Sequence, residues 1–332
     1  MRTRASGRSS KSASMFELLM DPQIFNRRQA VGLALAVGGA ACVAATMQRK
    51  MTIHLVPGSI GVQATQQEAI VFAKQYGFEA VEPQATFLAT LSTSEIDRIA
   101  ADVKSAGLVW GNASLPTDFR KDAETFEKGL SQLPAAAKAL QRAGVSRVGT
   151  WISPAHASLT YVANLKQHVE RLRKVATVLA DHGLRLGLEY VGPKTAWTSN
   201  RYPFLHSMTE MKDLHAAIGM RNVGFVLDSW HWFTAGETAA DLATLRNEDV
   251  VCVDLNDAPA GVALDQQIDS KRELPMATGV IPIGDFLNAL QRIGYDGPIR
   301  CEPFNAALRA LPRDEALAAV AQSMKKAFAL IL

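Results

Sequence analysis

Cysteine is scarce in this chain, with three in 332 residues. Three thiols, at positions 42, 252 and 301, build no disulfide framework. Cys252 and Cys301 each lie in an apolar run beside a carboxylate and read as buried free thiols. A glycine-rich phosphate loop is also missing. The first apolar run is followed by HLVPGSIG (54–61), which lacks the G-x-G-x-x-G spacing that an open, doubly wound nucleotide-binding sheet places there. No cluster of Arg and Lys suits a phosphate group. No apolar run reaches the ~20 residues of a membrane span; the uncharged stretch 30–45 falls short of it.

That stretch belongs to a leader. Arg2, Arg4, Arg8 and Lys11 precede Asn26-Arg27-Arg28-Gln29, and an Ala/Val/Gly/Leu run with small residues at its exit follows. A basic region, a short apolar core and a small-residue exit make a secretory signal. The paired Arg27-Arg28 resembles a twin-arginine signal, with Asn26 before the pair and Ala30-Val31 after it as departures. Residues 1–46 are therefore expected to be the signal and 51–332 the working domain, exported to the periplasm or another extracytoplasmic space. Cys42 follows Gly39-Ala40-Ala41, a poor lipidation site, so no stable membrane association is expected after cleavage. Residues 1–46 carry six basic and two acidic groups, and their removal takes the formal charge from +3 to −1. A near-neutral domain offers no electrostatic case for nucleic acid.

What the remaining chain does have is alternation. Short apolar runs at 52–56, 79–82, 108–113, 147–152, 184–190, 223–227, 250–255 and 298–301 are each followed by an amphipathic helical segment. Those segments are expected at 66–76, 94–106 (capped by Ser94), 119–143 (broken or restarted at Pro134), 161–182, 209–218, 238–245, 283–293 and 313–332. Strands alternating with helices imply a parallel sheet. Eight such units in about 280 residues match a single closed (β/α)8 barrel, an α/β fold. Two connections are long, 191–207 and 256–281, and long ordered loops at strand ends carry binding groups or lids.

Four strands end on carboxylates: Glu189 in LGLEY, Asp228 in VLDSW, Asp254 in CVDLND and Glu302 in RCEPF. In a barrel those ends converge on one mouth. Buried like charges raise one another's pKa steeply, and a divalent cation resolves the conflict. An oxygen-rich donor set favours Mg²⁺ or Mn²⁺ over Zn²⁺. A capping or bracing role is the alternative for any one of these acids, Asp228 above all.

The segments GLEYVGPKT (187–195), VLDSWHW (226–232), LNDAPAG (255–261), KRELPMATGVI (271–281) and GYDGPIRCEPF (294–304) resemble the sugar phosphate isomerase/epimerase family of the xylose-isomerase-like barrel superfamily. The resemblance covers about residues 51–332. It implies that Glu189, Asp228 and Glu302 are metal ligands and that His231, in D-x-x-H, and Arg272 contact substrate. The family's seventh-strand ligand is histidine, and here Asp254 stands at that position. Either Asp254 coordinates instead, or Asn256 or Asp257 does, or the ion keeps three protein ligands plus water. The seven histidines are too few for the three-zinc endonucleases of the same superfamily.

The function expected on this basis is a divalent-metal-dependent sugar isomerase or epimerase. Glu189 and Glu302 would form the acid–base pair that moves a proton through an enediolate. Trp230 and Trp197 are candidate faces for a sugar ring, as are Trp151 and Trp232. Glu82 and His54 are second-tier contacts. The same enolising site would serve a lyase or dehydratase acting on a 3-keto sugar or glycoside, and a non-catalytic periplasmic sugar-binding barrel is the reading outside enzymes. The partner is a small carbohydrate; a homodimer is compatible with the sequence.

Overall fold

The computed structural model describes residues 49–332. The leader, with Arg27-Arg28 and Cys42, lies outside the described residues. Among those described, no helix is long and apolar enough to cross a membrane.

The strands are β1 (Thr52–Leu55), β2 (Ala80–Val81), β3 (Val109–Trp110), β4 (Ala113–Ser114), β5 (Arg147–Trp151), β6 (Arg185–Glu189), β7 (Val223–Asp228), β8 (Val250–Leu255) and β9 (Pro298–Cys301). They form one sheet in the order β3-β2-β1-β9-β8-β7-β6-β5-β4, and the pairs are parallel. Its two ends, β3 and β4, are halves of one stave. Val81 pairs with Trp110 and Ala113 with Val148, so the sheet closes into the expected eight-staved barrel. The break in that stave has a local cause. A Cβ on Gly111 would stand 2.1 Å from His54 Nε2, so the backbone passes there only because glycine lacks one.

The flanking helices are α1 (Gln66–Tyr76), α2 (Thr93–Ser105), α3 (Ala123–Ala143), α4 (Tyr161–Asp181), α5 (Met208–Ile218), α6 (Ser229–Thr234), α7 (Ile283–Arg292) and α8 (Arg313–Phe328). Several starts differ from expectation. Ser92, not Ser94, caps α2, because Glu95 three residues on completes a capping box. Asp122 caps α3, so the helix begins after the 119–122 turn. Pro134 does not break α3. It sits on the solvent face, where the Leu130 carbonyl that proline leaves without a donor is open to hydration rather than stranded in the core. The helix expected at 238–245 shrinks to Ala239–Leu242. In its place α6 starts directly at the end of β7, capped by Asp228 accepting from the Trp230 N–H at 2.7 Å.

Alternation along the staves decides what faces inward. Leu186, Leu188, Phe225, Leu227, Ile299 and Cys301 are buried in the main apolar core with the helices. Val226, Val251 and Cys252 form a separate apolar cluster against Gly149 and Gly187. These are the barrel's inner floor, and glycine on two adjacent staves keeps the space above it open. Both Cys252 and Cys301 are free and buried, as expected.

Gly224→Ala should cost about 2–3 kcal/mol, because the new Cβ would meet the Asp249 carbonyl at 2.5 Å, backbone against backbone. Gly58→Ala, where nothing lies within 4 Å, should stay within about 0.5 kcal/mol. Urea denaturation of the two variants beside wild type checks both.

Candidate active site at the barrel mouth

Inward-facing residues at the C-terminal ends of β6 to β9 meet in one place. Carboxylate oxygens of Glu189, Asp228, Asp254 and Glu302 all lie within 4.8 Å of one another. Asp228 and Asp254 are wholly buried, Glu189 nearly so. Strand pairing sets this up, since Asp254 is directly opposite Asp228 on one side and Arg300 on the other.

Two buried guanidiniums answer the four acids. Arg272, from the 256–281 loop, donates to Asp228 Oδ2 at 2.7 Å and to Asp269 Oδ1 at 2.7 Å, and lies 4.6 Å over the Phe304 ring. Phe304 is held at φ 42°, a conformation a bulky residue adopts only where its surroundings impose it. Arg300 clamps Asp254 through both oxygens, at 2.5 and 2.8 Å, and reaches Glu302 Oε1 at 2.9 Å. Asn256 donates to both Asp228 oxygens, at 3.0 and 3.1 Å, and accepts from the Glu302 N–H at 3.0 Å.

Glu189 is left over. Its Oε1 is buried without a hydrogen-bond partner. Burial, then the charges of Asp254, Glu302 and Asp228, hold its carboxyl well above the usual carboxylate range. Burial lifts Asp228 to about 7 against the pull of Arg272, and it raises Glu302 against the pull of Arg300. His231 is pushed down to about 3 by burial and then by Arg272, so the ring is neutral. Its Nδ1 accepts from the Gly192 N–H at 3.2 Å, while Nε2 faces a guanidinium that can only donate, so the two ring nitrogens compete for the acceptor role. Nε2 stands 3.9 Å from Glu189 Oε1 and 3.2 Å from Arg272 Nη2.

The donor set fits a hard divalent ion. The four carboxylates outnumber the two guanidiniums, and Arg272 is shared with Asp269 as well, so negative charge is left uncompensated in a buried space where a carboxylate oxygen has no hydrogen-bond partner. Glu189 and Glu302 are the freest donors; both oxygens of Asp254 accept from Arg300, and both of Asp228 accept from Asn256, with Arg272 and the Trp230 N–H. Asp257 is removed from the candidates. Its carboxylate accepts four backbone N–H groups, from Ala258, Thr278, Gly279 and Ile281 at 2.8–3.0 Å, and so staples the 256–281 loop shut. Asn256 is committed to Asp228 and Glu302.

Above the carboxylates opens a cavity of about 500 Å³, walled by Asn112, Trp151, Glu189, His231, Arg272, Arg300 and Glu302. Two tryptophans expected at it are elsewhere. Trp230 is fully buried beneath Arg272, 5.7 Å from the guanidinium, because α6 turns it into the core. Trp197 stacks on His206 at 4.6 Å over a separate, shallower depression. Glu82 is not in the cavity wall; its Oε1 is 3.5 Å from Ser114 Oγ. His54 is buried without a partner on either ring nitrogen and fills the gap at Gly111. Arg300 was not singled out from the sequence, although its period-two spacing from Glu302 puts both on the inner face of one strand. Asp269 and Arg120 carry no comparable signal, since loops position them.

Comparison with known proteins places this geometry. Residues 70–327 match the family model described as the xylose isomerase-like TIM barrel. The chain belongs to that family. It superposes on a xylose isomerase domain protein of Alicyclobacillus acidocaldarius with a TM-score of 0.73 at 33% identity, covering 84% of this chain and 99% of that one. It is 26% identical to the inosose isomerase of Halalkalibacterium halodurans over 161 residues, 46% of this chain and 53% of that protein. It is 31% identical to the 3-dehydroshikimate dehydratase of Pseudomonas aeruginosa over 143 residues, 42% of this chain and 21% of that protein. The chain thus spans about half or less of the curated relatives it matches. In this xylose isomerase-like barrel Asp254 and Arg300 are paired on adjacent staves of the mouth.

Elemental analysis after loading with Mn²⁺ should find about one ion per chain in wild type and in Asp254→Asn alike, and metal titration should show at least tenfold tighter binding in Arg300→Met, where Asp254 is released. Loss of the ion in Asp254→Asn would instead make Asp254 a necessary ligand. Stability supplies a second check. Glu189 and Asp228 have folded pKa values above their unfolded ones, so the folded chain holds more protons and is stabilised at low pH. For Asp228 that contribution is complete below about 4 and lost as pH rises through about 7. The Tm of the metal-free chain should fall from pH 5 to pH 8, and saturating Mn²⁺ should flatten the slope; differential scanning calorimetry at fixed ionic strength decides.

Proposed function

We propose that this barrel is a divalent-metal-dependent isomerase or epimerase of a small hydroxy-carbonyl carbohydrate, working by proton transfer between Glu189 and Glu302. The observation that carries it is the unpaired, proton-retaining Glu189 carboxyl facing a cavity of about 500 Å³. That volume is ordinary for a small-molecule site. The inosose isomerase relative supports the substrate class.

A divalent ion held by Glu189, Asp228 and Glu302 would supply a Lewis acid that polarises a carbonyl. Mn²⁺ or Mg²⁺ suits this all-oxygen set better than Zn²⁺. Glu189, ionised once a cation offsets the neighbouring charges, would take the proton from the carbon beside the carbonyl, and the electron pair would move into the carbonyl to give an enediolate. Glu302, from a stave three positions round the barrel, returns a proton to the other face in epimerisation. His231, neutral and beside Glu189, would orient a substrate oxygen. Arg272 fixes Asp228 and Asp269 and closes one wall.

The 3-dehydroshikimate dehydratase relative favours a second reading. The same carbanion expels a β-leaving group where one is present, which makes the reaction an elimination. Export through the leader at 1–46 is part of the proposal and makes a free sugar the natural substrate rather than a sugar phosphate.

With Mn²⁺ present, the protein in D₂O should incorporate deuterium at a carbon beside the carbonyl when a panel of free ketoses and inososes is followed by ¹H NMR. Glu189→Gln should reduce incorporation at least 10³-fold with an unchanged circular dichroism spectrum. Undiminished exchange in that variant would remove Glu189 from the reaction, and absence of exchange in wild type across the panel would remove the proton-transfer reading.

A further inference from the structure

We propose that a second cavity, on the far side of Trp151 and Arg120, is a subsite for another carbohydrate ring, so that the substrate is a glycoside or disaccharide rather than a single sugar. This rests on the carbohydrate reading above and goes beyond it. The second cavity has a volume of about 280 Å³ and shares Trp151 and Arg120 with the cavity at the carboxylates. The two spaces therefore adjoin across one side-chain wall.

Trp151 is 45% exposed, unusual for the largest apolar side chain, and it is held in place. The Arg120 guanidinium lies 4.4 Å over its ring. Arg120 is itself tied to Asp118 at 3.1 Å, to Thr150 Oγ1 at 3.3 Å and to the Trp151 carbonyl at 2.8 Å. On the adjacent stave the register partner of Trp151 is Glu189. A ring resting on Trp151 is thus about one strand spacing, ~4.8 Å, from the stave that carries the proton-transfer carboxylate.

The rest of the second cavity is polar, with Asp118, Lys121, Ser153, His156, Asn164, Gln167 and His168 on its walls. Two of these present unmet acceptors. Asn164 and His168 are 1% and 3% exposed, and neither Asn164 Oδ1 nor His168 Nε2 has a hydrogen-bond partner. His168 Nδ1 lies 2.9 Å from the Asn164 carbonyl, so the ring proton is there and Nε2 offers a lone pair. Burial holds this ring neutral down to about 4. His156 is the converse. Its Nδ1 accepts from the Leu159 N–H at 2.8 Å and the Ser158 N–H at 3.1 Å, which puts its proton on Nε2 as a donor.

A site with two buried acceptors in want of protons, a donor and an aromatic face calls for a ligand that donates, accepts and stacks at once. Sugar hydroxyls on an apolar ring face do all three. A carboxylate has no proton to give Asn164 and His168 at neutral pH, and neither it nor phosphate has an apolar face to rest on Trp151.

The test is isothermal titration of the full chain, loaded with Mn²⁺, with D-glucose and with maltose, cellobiose and trehalose. At least one disaccharide should bind at least tenfold tighter than D-glucose. Gln167→Ala and Trp151→Ala should each reduce that margin to threefold or less, with the D-glucose Kd unchanged in Gln167→Ala. Equal affinities for one ring and two, or a margin that survives both variants, would overturn the subsite and leave the proton-transfer reading standing. Inorganic phosphate that competes with the disaccharide in wild type but not in Gln167→Ala would overturn it in favour of an anion site. Failure of every sugar to bind would overturn the carbohydrate reading and the subsite together.

Discussion

The balance of buried charge at the mouth of the barrel is the constraint on which the rest of the site depends. Four carboxylates within 4.8 Å of one another cannot all ionise in a dry space without compensation. Arg272 and Arg300 supply part of what is needed, and Arg272 is shared with Asp269. The remainder is met either by protons, which is why Glu189 and Asp228 hold theirs so far above the ordinary range, or by a divalent cation. Protein stability, metal binding and acid–base chemistry are therefore three readings of one electrostatic problem.

The architecture around that point exists to hold it. Gly149 and Gly187 keep the inner floor low, so the cavity has depth above Val226 and Cys252. Asp257 ties down the loop that delivers Arg272 by binding four of its backbone N–H groups. Asp228 serves twice: it caps α6 through the Trp230 N–H and offers its other oxygen to Arg272 and the shared centre. The capping and functional readings of that residue are thus compatible, because a carboxylate has two oxygens and each takes one duty.

The Asp254–Arg300 pair stands at the strand end where the family resemblance implies a histidine ligand. Aspartate in place of histidine would add a fourth negative charge to the mouth. Arginine directly opposite on the next stave cancels that charge and draws both carboxylate oxygens away from the centre. Each residue is costly where it lies without the other, so the two act as one unit.

Sequence alone determined the order of strands and helices, the closed parallel barrel and the strand-end acids. Those rest on local signals: apolar runs, caps, terminal glycines, and the inward alternation that puts Glu189, Asp228, Asp254 and Glu302 at one end. Even some local signals misled, as at Pro134, where solvent exposure let the helix continue, and at Trp230, whose direction was set by a helix starting one residue after the strand. The partner of each acid was decided only by tertiary structure. Register brings Arg300 to Asp254, a loop brings Arg272 to Asp228, and Glu189 is left without a hydrogen-bond partner for its inner oxygen. Nothing within a few residues of Glu189 encodes that, because it follows from what three other staves and one long loop do with their charges.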